Sequence, residues 1–350
     1  MIFDLLAAIW RYLDQMTSQA CTQTSNSNKY NVDHIWHADW SMSAKGRWVA
    51  KARRSDHGWL IHAIEPVGML NQFRQSLSDL GHDQTIWLGL DMPIGFVDFW
   101  YDGANVKDFK TLLGLLRGDN WQKFFDVCST PDEITYKCPF YPKISGIKGS
   151  VKREHLLTAL GLTDFRQLHR RCELATIDRN AACPSFWTLG ANQVGKGMLH
   201  GLENLIIPGQ QDGFHIWPFS GDLAACTKRP GVTLIETYPG EIYRWLDISE
   251  LTKSNQDSRA IAVKQLGLYA AQNAIEISPA VMTDIATGFG PKQGKDDAFD
   301  ALVGVMGLIR IADGKRPEHL PIDPVITERE GWIVGMDACT IKRQTKYRIK

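Results

Sequence analysis

The chain contains no Cys-x-x-Cys pair, and its seven cysteines are odd in number and widely spread. That argues against a disulfide framework and against a zinc ribbon, and it fits reduced thiols in a cytoplasmic protein. An excess of charge of either sign is missing too, since Lys plus Arg and Asp plus Glu stand at 39 each. No global basic field draws such a protein to every polyanion, so any affinity for nucleic acid has to be local. Nor does any run approach the ~20 apolar residues of a membrane span. The opening MIFDLLAAIWRYLDQM carries an acid at Asp4 and lacks both a basic start and a small-residue cleavage site, so it reads as an amphipathic helix and not as a secretory signal. No membrane partner is expected.

What is present is 44% hydrophobic residues in 350, enough for a full core. Residues 1–33 read as an N-terminal helix and a polar linker rich in Ser, Thr and Asn. Residues 34–93 open the core with three strands of hairpin spacing, IWHADW, RWVAKARR and GWLIHAI, then a helix over 67–80 closed by Gly81, then the apolar strand TIWLGLD. Over 94–230 the pattern breaks into dense Pro, Gly, Cys and aromatic residues, which marks an inserted subdomain. The core resumes over 231–312 with the strand GVTLIE, a helix over 258–271 and a last helix over 295–311. A C-terminal segment, 313–350, holds GWIVGM, read as a further strand or as packing, and ends in a basic tail.

Within this plan, acids stand where they are least expected, at the ends of apolar strands or at the head of an apolar helix. They are Asp39 in IWHADWS, Asp91 in IWLGLDMPIGF, Glu236 in VTLIETYPGE, and Asp297 with Asp300 in KDDAFDALVGVMGLI. Burying an unpaired charge costs several kcal/mol or more, so repeated acids of this kind imply a shared cation or one another. Asp297 and Asp300 are three residues apart and fall on one helix face. Asp296 reads as a cap, Asp297 as either a cap or a ligand, and Asp300, a turn later, as a ligand. Asp39 and Asp91 also have plain alternatives as turn-opening residues.

Three antiparallel strands, helix, strand, long excursion, strand and helix is the element order of the ribonuclease H-like fold. The expected fold class is therefore α/β, a mixed five-stranded sheet flanked by helices, with a large insertion after the fourth strand. In that fold the first and fourth strands are neighbours about 4.8 Å apart, close enough for acids at their ends to share ions about 4 Å apart. The blocks GLDMPIGF, ETYPGEIYRW and DDAFDALVGV resemble those of the DUF429 family, predicted ribonuclease H-like nucleases, and DAFDAL is also similar to the closing acidic motif of RuvC-type Holliday junction resolvases. The resemblance covers roughly 34–93 and 231–311. It implies a Mg²⁺- or Mn²⁺-dependent nuclease that hydrolyses phosphodiester bonds of DNA or RNA, with Asp39, Asp91, Glu236 and Asp300 as metal ligands and Asp297 beside them. The alternatives are a nucleotide-binding or phosphotransfer protein of the same core fold and a non-catalytic nucleic-acid-binding protein.

The expected partner is nucleic acid, and the candidate substrate contacts are cations. TYKCPFYPKISGIKGSVKRE interleaves Lys143, Lys148, Lys152 and Arg153 with aromatic residues, which suits either a nucleic-acid clamp or an aromatic mini-core with solvated lysines. Arg170 and Arg171 read as a basic face, and Lys295 sits beside the acidic helix. Gly190-Ala-Asn-Gln-Val-Gly-Lys196-Gly197 resembles a phosphate-cradling loop but lacks the final Ser or Thr, which leaves Lys196 as a candidate phosphate contact or part of a plain surface loop.

Overall fold

The computed structural model describes residues 30–143, 150–189, 194–248, 251–291 and 295–342. The expected N-terminal helix, Lys148, residues 190–193 and most of the basic tail lie outside them.

The chain divides into two compact units. The first is built on a mixed sheet with helices on both faces. Its strands are β1 (His34–Asp39), β2 (Trp48–Ser55), β3 (Gly58–Pro66), β4 (Thr85–Asp91), the two-residue β5 (His215–Ile216), β6 (Gly231–Glu236) and β7 (Ile275–Ile277). They lie in the order β5-β6-β4-β1-β2-β3-β7. The sheet therefore has seven strands and not the expected five. The two extra strands are short and lie at the edges, too brief to leave an alternating pattern in the sequence. β1 to β3 are antiparallel neighbours, whereas β4 runs parallel to β1 and to β6.

Side chains alternate across a strand, so ladder partners share a face. On one face α1 (Leu70–Gly81) buries Phe73, Leu77 and Gly81 at helical spacing. Phe73 packs on Trp36 with ring centroids 5.9 Å apart, and a Cβ on Gly81 would stand 2.9 Å from Val232. Gly81 thus belongs to the helix, where its missing side chain admits the strand, and the chain continues helical into His82 instead of stopping at a glycine cap.

The opposite face is covered by a long helix, Lys295–Ala312, which is buried along almost its whole length because α2 (Pro239–Trp245) packs on its outer side. Two glycines set these approaches: a Cβ on Gly304 would meet the His37 ring at 2.2 Å, and one on Gly307 would meet Ile242 at 2.7 Å. The expected helix over 258–271 is in fact two, α3 (Gln256–Ile261) and α4 (Val263–Gln272), followed by α5 (Pro279–Ala286) and then the long helix, α6. Ser278 caps α5 by accepting from the Val281 N–H.

The second unit comprises Met92–Gln211, Ile216–Asp222 and the segment from Glu318. Its helices are short, and its core is aromatic: Phe96 stacks on Phe186 at 5.6 Å and meets Phe124 and Phe140 edge-on. GWIVGM forms no strand; Trp332, Ile333, Val334 and Met336 are buried as irregular chain. Among the described residues no helix is long and apolar enough to cross a membrane.

Candidate functional site

The parallel pairing of β1 with β4 puts Asp39 opposite Asp91 at the ends of the two strands. His37 and Gly89 precede them as partners on the same face, which is the face under α6, because Gly304 meets the His37 ring. Asp297, Asp300 and Gly304 recur at helical spacing, so the helix that rests on His37 presents both aspartates above the strand ends.

Asp300 is 2% exposed. Its carboxylate accepts from the Tyr243 hydroxyl on one oxygen and from the Lys253 ammonium on the other. The Asp297 and Asp39 carboxyls lie close enough for each to act on the other's proton affinity. Asp297 Oδ2 also faces the turn before β2, 3.3 Å from where a Gly46 Cβ would stand.

The electrostatics follow from four carboxyls in little water. Burial, then the charges of Asp91, Asp300 and Asp297, push Asp39 well above the usual carboxylate range. Burial and the Asp300 charge push Asp91 up to about 7. Asp297 rises to about 6 through burial and neighbouring Asp296. Burial raises Asp300 as well, against the pull of Lys253. Burial alone would lower Lys253, but the Asp300 carboxylate, with Asp91 and Asp39 behind it, raises it on balance. Tyr243 is held protonated by burial and by Asp300.

Glu236 is buried, but the ladder pairs it with Leu90 and not with Asp91. Alternation therefore turns it to the α1 face, away from the other acids. Its charge still raises the Asp91 pKa. Thr237, one residue on, occupies the shared face instead and hydrogen-bonds His37 Nε2 at 2.7 Å. His37 is fully buried, and burial lowers its pKa to about 3, so the ring is neutral.

Among the described residues no three His, Cys, Asp or Glu side chains converge into a set ready to hold a metal ion. The acids are neighbours whose charges act on one another, with Lys253 and Tyr243 seated on the most buried of them.

The expected substrate cations are scattered in environment. Lys295 lies over the Trp48 ring at 4.1 Å. Arg170 is buried, not part of a basic surface: its guanidinium bonds Glu173 at 2.9 Å and the carbonyls of Ile94 and Glu330 at 3.2 and 3.0 Å. Arg171 pairs with Asp323. Lys196 belongs to the helix Val194–Gly201 and donates to the Lys143 carbonyl at 3.0 Å. Lys143 and Lys152 are exposed, and Arg153, also exposed, lies 4.3 Å over Phe165.

Sequence reasoning missed Lys253 and Tyr243. Tyr243 sits in the block ETYPGEIYRW, four residues after the helix-starting Pro239, and could have been read as facing α6. Lys253 lies in a polar stretch with no periodic signal. Comparison with family models, with curated proteins and with solved structures found no match to this chain.

Proposed function

We propose that the chain is a divalent-metal-dependent nuclease, hydrolysing phosphodiester bonds of DNA or RNA, with a ribonuclease H-like core of the kind the DUF429 resemblance implies. The fold reading is supported by the inner strand order β3-β2-β1-β4-β6, by the parallel pairing of β1 with β4, and by the long excursion between β4 and β6. One observation carries the activity: Asp39 and Asp91 end adjacent parallel strands in register, beneath the helix turn bearing Asp297 and Asp300, and the charges of that turn raise the proton affinity of both strand-end acids. Such a group carries more negative charge than a dry site tolerates, and a divalent cation is the partner that relieves it.

The donors are hard carboxylate oxygens, which suit Mg²⁺ or Mn²⁺ and not zinc. Asp39, Asp91 and Asp300 would hold the metal; Glu236, on the other sheet face, is left out of the ligand set. A metal held there would supply activation of the attacking water and stabilisation of the leaving group's charge. The chain's own residues do the remaining work. Tyr243 fixes the orientation of the Asp300 carboxylate, and Asp297 stands beside Asp39 on the turn of α6 above it. Lys253, half exposed beside Asp300, is the cation placed to meet a substrate phosphate.

A nuclease panel over single-stranded, duplex and branched DNA and RNA, run with Mg²⁺, Mn²⁺ or EDTA, tests the reading. Cleavage should require the metal and be lost in Asp39→Asn and Asp300→Asn. Cleavage that survives EDTA, or full activity in both variants, would overturn it.

The Lys253–Asp300 pair favours a second reading, a nucleic-acid-binding protein without hydrolysis, because an ammonium already neutralises the most buried carboxylate. Binding that is indifferent to EDTA and to Asp39→Asn, with no cleavage of any substrate, would select it.

A further inference from the structure

In the second unit two cysteines ten residues apart meet inside the core: Cys128 Sγ and Cys138 Sγ are 3.1 Å apart, and both residues are buried. The backbone holds them there. Cys128 donates its N–H to the Phe140 carbonyl at 2.8 Å, and its own carbonyl accepts from Lys143 N–H at 2.8 Å. Cys138 is pinned by reciprocal bonds with Thr135, at 3.1 and 3.2 Å. Phe124 packs edge-on against Phe140 behind this segment. Two sulfurs so fixed need only a small side-chain rotation to bond.

We propose that Cys128 and Cys138 are a reversible oxidation site that forms an intramolecular disulfide when a small peroxide reaches it. A peroxide suits the site because burial leaves little room for a bulky disulfide reagent. The Cys138 thiolate attacks one oxygen of hydrogen peroxide, the O–O bond breaks, and hydroxide leaves, giving a sulfenic acid on Cys138. The Cys128 sulfur then attacks that sulfur; its thiol proton and the sulfenic hydroxyl leave as water. The two thiols lose two electrons in all, and the peroxide is reduced to two waters. Cys138 is the first to react: the Cys128 thiol has a close carbonyl to hold its proton, that of Cys138 at 3.2 Å, whereas the Cys138 thiol has only the Asp126 carbonyl at 3.8 Å, and the Cys138 pKa is lowered beside Cys128. The proposal is independent of the nuclease reading.

The test uses the full chain treated with hydrogen peroxide, denatured in an alkylating agent and digested with trypsin. Cleavage after Lys123, Lys137 and Lys143 puts the two cysteines on separate peptides, 124–137 and 138–143. The expected result is one cross-linked species joining them, lighter by two hydrogens than the two peptides together and abolished by dithiothreitol. Five of the seven cysteines should remain alkylated. In Cys128→Ser the reaction should stop at a dimedone-reactive Cys138, whereas Cys138→Ser should give no such adduct on Cys128. Alkylation of both cysteines after peroxide while the exposed Cys339 is oxidised would overturn the proposal, as would cross-links shared indiscriminately with Cys339.

Discussion

The Lys253 ammonium is paired with the Asp300 carboxylate, although half of the lysine side chain faces water and only 2% of the aspartate does. The aspartate therefore bears the desolvation and the lysine supplies the compensation, an uneven pairing that costs little to break from the lysine's side and much to leave broken.

Lys253→Met should accordingly destabilise the metal-free protein near neutral pH. The expected loss is about 1–2 kcal/mol, smaller than for a fully buried pair because water screens the exposed partner. The gap should narrow in acid, where Asp300 takes up a proton and no longer needs the ammonium. Urea unfolding of the two proteins at neutral and acidic pH checks this, and coincident curves at neutral pH would show that the pair contributes nothing.

Asp91 gives a pH dependence of definite sign. Its folded pKa, about 7, lies above the ordinary 3.8 of an unfolded aspartate, so between those values the folded protein binds the extra proton. The contribution of this group is present at low pH and is lost as pH rises toward 7. Asp91→Asn removes the penalty, so without metal the variant should exceed the parent in stability above pH 7 by a few kcal/mol, on the scale of ~1.4 kcal/mol per pH unit. Near pH 4 the two should converge. The comparison with the variant matters because His37, whose pKa falls to about 3, acts oppositely and destabilises the parent as pH drops below 6.5. A variant less stable than the parent at pH 8 would contradict the placement of Asp91 among like charges.

The sequence displayed the acids well because an aspartate ending an apolar strand leaves a visible break in a hydrophobic run, and Asp39, Asp91, Asp297 and Asp300 were all legible that way. Which face each acid takes was not legible, since that depends on ladder register. Glu236 ends an equally apolar strand, yet one step of register pairs it with Leu90 and turns it away. The five longer elements of the sheet showed as runs, whereas β5 and β7, with two and three residues, are defined only by the neighbours they pair with. Arg170 reversed expectation and Lys253 escaped it for one reason. A cation's sequence neighbours do not reveal whether a distant carboxylate or carbonyl has claimed it.

Gly304 is where the site's architecture is most easily damaged without touching an acid. It lies one helical turn beyond Asp300 and rests on the His37 ring, so Gly304→Ala would drive a methyl into ring atoms 2.2 Å away. Neither partner can yield: the ring is fixed by Thr237 and buried between strands, and the helix is enclosed on its outer face by α2. The substitution should cost about 2–4 kcal/mol, in the range of overpacked cores or slightly above it. It should also lift Asp300 away from Asp39 and Asp91, so under the proposed nuclease function cleavage should fall beyond what the loss of folded protein explains. Thermal unfolding and activity per folded molecule separate the two effects, and an unshifted midpoint would show that α6 does not lie as close to β1 as described.

Arg170 decides between a substrate contact and a structural one. A phosphate-binding arginine on a surface can be replaced with little effect on stability, but this side chain is 1% exposed and joins Glu173 to the backbone carbonyls of Ile94 and Glu330. Arg170→Ala would leave the Glu173 carboxylate without its ion-pair partner and both carbonyls without this donor, a loss of about 3–5 kcal/mol by the measure of broken buried ion pairs. Arg170→Lys should recover only part of it, because a single ammonium cannot span the positions that the planar guanidinium reaches. The loss should register as unfolding of the aromatic unit, seen by tryptophan fluorescence at Trp100 and Trp121, which pack against Phe124. Salt should leave it nearly unchanged, since a buried pair is poorly screened. A stable Arg170→Ala protein with weakened, salt-sensitive nucleic-acid binding would instead return this residue to the substrate surface.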